Sequence, residues 1–140
     1  MKRIVVGYDE TEGSKRALER AAQLAKAFDA TLIVTSVAPI IASIGRSAGP
    51  IDPTDPPEEH LEELRHARAY LEGEGITADY QPAVGNVGDA IMQLANEQHA
   101  DLIVVGTREM GFLERLLHHS VSSEVAHRAH CDVLIVHAHQ

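Results

Sequence analysis

Four short apolar runs constrain this chain more than any other feature: Ile4-Val5-Val6-Gly7-Tyr8, Thr31 to Val37 (TLIVTSV), Asp101 to Gly106 (DLIVVG) and Asp132 to His137 (DVLIVH). Each is rich in β-branched residues and shows no regular alternation of apolar with polar. An alternating strand buries one face, whereas a strand apolar throughout must be covered on both. That environment is a parallel sheet sandwiched between helices.

The segments between the runs carry the helical period. From Ser14 onward Ala17, Leu18, Ala21, Ala22, Ala25 and Phe28 recur at three and four, with charged residues between them, which predicts an amphipathic helix. Glu58 to Glu74 predicts a second, with Leu61, Leu64, Ala67 and Leu71 inside and Gly73-Glu74-Gly75 ending it. Ala78 to Val84 is a further strand, and its Pro82 places it at an edge or a bulge. Asn86 is a cap for a helix whose inner face is Ile91, Leu94 and Ala95 and which ends near His99. Ser120 caps a last helix running to Ala129. Strands alternating with helices of this length give one doubly wound α/β domain over residues 1–140, a five-stranded parallel sheet with helices on both faces.

Composition excludes several function classes. A chain of 140 residues buries about two thirds of its unfolded surface and needs no disulfide or metal to fold. Twelve Lys and Arg against 21 Asp and Glu leave a net charge of −9, which argues against nucleic acid as a partner. No apolar stretch approaches the ~18 residues of a membrane span, and the apolar start Ile4-Val5-Val6 is too short for a signal peptide. With a single cysteine, Cys131, placed before an apolar strand where a buried thiol is inert, the expected setting is the reducing cytoplasm.

In such a sheet a site lies beyond the carboxyl ends of the strands, where strand order reverses. The residues to watch are Tyr8-Asp9-Glu10-Thr11, Val37-Ala38, the stretch from Val84 to Gly88, and Gly106-Thr107-Arg108-Glu109. Neither G-x-G-x-x-G after the first strand nor G-x-x-x-x-G-K-[ST] occurs, so dinucleotide-type and P-loop binding are unsupported, and no nucleophile elbow is present. Five of the six prolines fall between Ala38 and Glu58, which marks a long loop: a lid, an interaction surface or a tolerated insertion.

Two stretches, Ile4 to Leu18 (IVVGYDETEGSKRAL) and Asp101 to Val136 (DLIVVGTREMGFLERLLHHSVSSEVAHRAHCDVLIV), together resemble the universal stress protein family, and the resemblance extends over essentially the whole chain. It implies strand order 3-2-1-4-5, with Asp9 and Gly106 on either side of one crevice. In nucleotide-binding members an Asp at the position of Asp9 and the backbone at that of Val37 hold adenine, while ribose and phosphates lie over a G-x-x-G-x(9)-G-[ST] motif. Gly106 matches its first glycine and Ser120 its hydroxyl residue, followed by Val121 and Ser122. Glu109 and His119 replace the other two glycines.

Those departures bear on binding. Motif glycines let the backbone approach phosphate oxygens. A Glu109 carboxylate pointing inward opposes a phosphate about 4 Å away by about 4 kcal/mol at an effective dielectric of about 20, unless Arg108 or a divalent cation offsets it. The resemblance therefore implies a non-enzymatic regulatory protein that binds nucleotide weakly or not at all and acts through protein partners. The alternatives are an ATP-binding switch, with magnesium and with Asp9, Val37, Gly106, Arg108, Ser120, Val121 and Ser122 around the ligand, and a slow nucleotide hydrolase using Glu109 or His119 as base.

Other clusters point to the surface rather than to chemistry. Of the nine histidines, His118, His119, His127, His130, His137 and His139 crowd the end of the chain. His119 and His127 are about 12 Å apart along one helix, too far for one ion, and the His127–His130 pair lacks a third ligand, so no metal site is expected. Glu58, Glu59, Glu62, Glu63, Glu72 and Glu74 read as the solvated face of the second helix. Val133-Leu134-Ile135-Val136 carries no Lys, Pro or Gly to protect an edge. Members of the family commonly pair this strand with its copy, so a two-fold homodimer is expected there.

Overall fold

The computed structural model describes residues 1–38, 57–107 and 121–138. Along the chain run β1 (Arg3–Gly7), α1 (Glu12–Phe28), β2 (Thr31–Ala38), α2 (Pro57–Gly73), β3 (Ala78–Val84), α3 (Val87–Glu97), β4 (Leu102–Gly106), α4 (Val121–Arg128) and β5 (Asp132–Val136). The strands form one parallel sheet in the order β3-β2-β1-β4-β5. Every apolar run of the sequence is one of these strands, and the order reverses between β1 and β4.

Alternation along each strand divides the core. Ile4 and Val6 of β1, Leu32 and Val34 of β2, and Leu102 and Val104 of β4 pack with α1 and α2 on one face. Val5, Ile33, Ile103 and Val105 pack with α3 and with Val125 of α4 on the other. Both faces are thus covered, as unbroken apolar strands require. Pro82 stands opposite Ser36 in β3, which is an edge strand, so its missing N–H deprives no neighbour.

Three helices hand over to the next strand in the same way. Asp29, Gly75 and His99 have φ of 54°, 77° and 53°, and the amides of Ala30, Ile76 and Ala100 donate back to Ala25, Leu71 and Ala95, each at 2.9 Å. This left-handed cap satisfies late carbonyls of the helix and turns the chain toward the sheet.

Two apolar positions expected inside lie outside. Phe28 is 52% exposed and Leu61 43% exposed, whereas Leu64, Ala67 and Leu71 are buried. Phe28 is the final residue of α1 and Leu61 precedes Leu64 by nearly a turn, so each lies past the rim of strands that covers its helix. A third correction is Glu63. It is half-buried and accepts a 2.6 Å hydrogen bond from the Ser36 hydroxyl, so α2 turns one of its carboxylates onto the sheet instead of into water.

Candidate functional site

The crevice is built from the exits of β1, β2 and β4. At the β1 exit, Thr11 is the N-cap of α1, its hydroxyl oxygen accepting from Ser14 N–H at 3.3 Å. The same hydroxyl donates to Asp9 Oδ1 at 2.6 Å, and Thr11 N–H donates there at 3.1 Å. Ser14 Oγ closes the ring, accepting from Asp9 N–H and donating to the Thr11 carbonyl, both at 3.1 Å. Asp9 is therefore held in a fixed orientation by the turn that precedes the helix. The D-E-T-E-G-S sequence supplies Asx-turn and cap residues at the spacing this needs.

Between Asp9 and Thr11 the chain takes a conformation that glycine favours: Glu10 has φ 64°. Its side chain reaches across to α2, where Oε1 meets Nδ1 of His66. Beneath the turn Tyr8 is 7% exposed and its N–H donates to the Thr35 carbonyl at 2.9 Å. Burial, with the charges of Glu10, Glu63 and Asp9, pushes its phenol up to about 12. This corner of the crevice is acidic, and that favours hydrogen-bond donors over anions as occupants.

The β2 exit supplies backbone. Thr35 directs its carbonyl to Tyr8 of the β1 side, and Ala38 directs its carbonyl to Gly85 N–H at 2.9 Å on the β3 side. Peptide groups of alternate residues face alternate neighbours in a parallel strand, so N–H and C=O of Val37 face the β1 side, past the end of β1. They face the side on which Asp9 follows Tyr8. An edge carrying both a donor and an acceptor is thus offered at that point.

The β4 exit is different. A Cβ on Gly106 would lie 2.2 Å from the Gly13 carbonyl oxygen, and one on Gly13 would lie 1.9 Å from the Thr107 carbonyl oxygen. The two glycines let the first turn of α1 rest directly on the end of β4. Gly106 was expected to make room for a phosphate; the space its missing side chain leaves is filled by α1. Thr107 continues the sheet, its N–H donating to the Val136 carbonyl at 2.9 Å, and its hydroxyl oxygen accepts from Ala138 N–H at 3.0 Å.

The structure brings Asp9, Val37 and Gly106 to one rim, and Val121 opens α4 with Ser122 behind it. Arg108, Glu109, His118, His119, Ser120 and His139 lie outside the described residues, as does all of the proline-rich stretch between Ala38 and Pro57. His127 and His130 are exposed, and no group of three or more His, Cys, Asp or Glu able to hold a metal occurs among the described residues. Cys131 is half-buried, and burial followed by Asp132 and Asp101 raises its thiol. Along β5, Val133, Leu134 and Ile135 are half-buried and Val136 is buried, with β4 on one side and the sheet edge on the other. Sequence reasoning missed Gly13 and Ser14, read Glu63 as solvated, and singled out Thr11 and Thr107 as strand-exit residues without a role for either. The cap spacing D-x-T-x-x-S was a readable signal for Thr11 and Ser14.

Comparison with known proteins agrees with this architecture. The Universal stress protein family profile matches residues 1–137. The universal stress protein Rv1636 of Mycobacterium tuberculosis is 38% identical, with 97% of this chain and 96% of that protein covered. The universal stress protein MJ0531 of Methanocaldococcus jannaschii is 32% identical over 96% of this chain and 81% of its own length. Among solved structures, a universal stress protein in complex with cAMP is 35% identical and superposes with a TM-score of 0.75, covering 98% of this chain and 97% of that one.

Proposed function

Because the chain belongs to the universal stress protein family, we propose that it is a non-enzymatic regulatory homodimer whose crevice between β1 and β4 takes an adenine nucleotide of low phosphate charge and which acts through protein partners. The observation that carries this reading is the split character of the crevice. On the base side, the peptide groups of Val37 face past the end of β1 and Asp9 is held in place by Thr11 and Ser14. On the phosphate side, α1 occupies the space beside Gly106, and the next motif glycine is Glu109. A ligand with an adenine and a single phosphate group uses the first half and asks little of the second. The 35% identical structure that holds cAMP supports that choice of ligand. No magnesium is needed for such a ligand, and an ATP-bound state would need Arg108 or a cation to offset Glu109.

The half-buried apolar edge of β5 supports assembly, since Val133, Leu134 and Ile135 present a strand to a second copy. No helix among the described residues is long and apolar enough to cross a membrane; a cytoplasmic location is part of the proposal and rests on the single cysteine, Cys131.

The test is calorimetric titration with cAMP, AMP and ATP with magnesium, beside a Glu109→Gly, His119→Gly double variant. The expected order is cAMP and AMP above ATP, with ATP gaining on the double variant by about ten-fold or more if about 1.4 kcal/mol of repulsion is removed. Silence with all three ligands, or ATP binding best to the unaltered protein, refutes it.

A further inference from the structure

Three chain segments that are far apart in sequence meet at the β4 exit. The first turn of α1 comes from the side of Asp9, Thr107 leads out of β4 toward Arg108 and Glu109, and His137 and Ala138 leave the edge strand β5. Gly13 lies against the Thr107 carbonyl. Arg16, one turn further along α1, donates from Nε to the His137 carbonyl at 2.8 Å. Thr107 completes the junction with two bonds, N–H to Val136 at 2.9 Å and hydroxyl oxygen from Ala138 N–H at 3.0 Å. Ala138 is 9% exposed although it lies beyond the last strand, so the chain is packed down at that residue.

We propose that Thr107 is a positioning residue: by gripping Ala138 with its hydroxyl it ties the exit of β5 to the exit of β4 and, through Arg16 and His137, to α1, and nucleotide affinity depends on that grip. The inference rests on reading the crevice as a nucleotide site. Its physical basis is that Thr107 is the first residue beyond β4 and its carbonyl lies against Gly13 in the turn that holds Asp9 through Thr11 and Ser14, so a shift at Thr107 passes to the wall that carries Asp9. A sheet bond alone fixes its N–H; the hydroxyl bond fixes it against Ala138, and Arg16 fixes His137 against α1. A valine has the shape of threonine but cannot accept from Ala138, whereas serine can.

The experiment compares the full chain with Thr107→Val and Thr107→Ser by cAMP calorimetry, amide hydrogen exchange and thermal melting. With Thr107→Val, cAMP affinity is expected to fall about five-fold, the size of one net hydrogen bond, and the Ala138 amide to exchange faster. Thr107→Ser restores both, which a merely steric role for the methyl would not do. Valine binding as tightly as threonine, or serine failing as valine fails, overturns the inference. If the unaltered protein binds no cAMP or AMP, the nucleotide reading fails by itself, and exchange at Asp9 and Ser14 then decides the coupling. Faster exchange there in valine alone supports it, and equal rates in all three proteins overturn it.

Discussion

Replacing Gly13 by alanine sets two effects of opposite sign against each other. Gly13 is the second residue of α1 and its φ is not left-handed. On helix propensity and unfolded-chain entropy alone, alanine would stabilise by about 1 kcal/mol. The new Cβ, however, would stand 1.9 Å from the Thr107 carbonyl oxygen, so helix and strand must part by more than 1 Å to reach 3.0 Å. The obstructing atoms are backbone on both sides, and no rotamer relieves them. Overpacking of this kind costs about 3 kcal/mol, the upper end of the usual range. The clash wins, leaving a net loss of about 2 kcal/mol, which for a domain of this size lowers Tm by about 7 °C. Gly73, at the end of α2, has nothing within 4 Å of its would-be Cβ, and Gly73→Ala isolates the propensity effect without the clash. Urea and thermal denaturation of both variants make the comparison. Gly13→Ala as stable as the unaltered protein, or as stable as Gly73→Ala, would refute the packing argument. Because a Cβ on Gly106 would press on the same helix–strand contact from the other side, 2.2 Å from the Gly13 carbonyl oxygen and 2.8 Å from the Ser14 nitrogen, Gly106→Ala should also destabilise, and the double variant should lose less than the two single losses together.

Two further outcomes follow from buried or paired polar groups. Thr35 is fully buried and its Oγ1 has no hydrogen-bond partner among the described residues, so Thr35→Val should stabilise by about 1 kcal/mol, read from the urea midpoint. Asp101 Oδ2 accepts from Lys2 and Arg3 amides at 2.8 and 2.9 Å, and those bonds lower its carboxyl below the usual aspartate range. A depressed folded value means that the stability it contributes is present above the unfolded value and is lost as pH falls through the folded one; Asp101→Asn should flatten the acid limb of the Tm against pH profile below about pH 4.

The strands and helices were legible because each apolar run and each helical period is local, a matter of neighbours along the chain. Their arrangement in space was not local in this sense: the order β3-β2-β1-β4-β5 came from the family resemblance, and Pro82 alone pointed to an edge. Periodicity also treats a helix as covered along its whole length, which is why Phe28 and Leu61 were expected inside although the sheet ends short of both. Glu63 was hidden by its neighbours: one glutamate among several on α2 looks solvated until Ser36 is found opposite it. Gly13 carried no signal at all, since what excludes a side chain there is a carbonyl 94 positions later in the chain.

Gly106 shows how a motif residue and its apparent purpose can separate. Aligned with a phosphate-binding motif, it reads as a ligand contact; in the structure its missing Cβ is occupied by Gly13 and Ser14 of α1. A glycine needed for packing would be retained whether or not any nucleotide binds, so its presence says little about the ligand. The informative positions are the two other glycines of that motif, at which this sequence carries Glu109 and His119. Loss of binding in a Gly106 variant would accordingly report a displaced helix, because Asp9 is held by Thr11 and Ser14 at the start of the same α1. The Glu109→Gly, His119→Gly variant leaves Gly13 and Gly106 as they are, and is the cleaner way to ask whether the proposed crevice takes a nucleotide, and which.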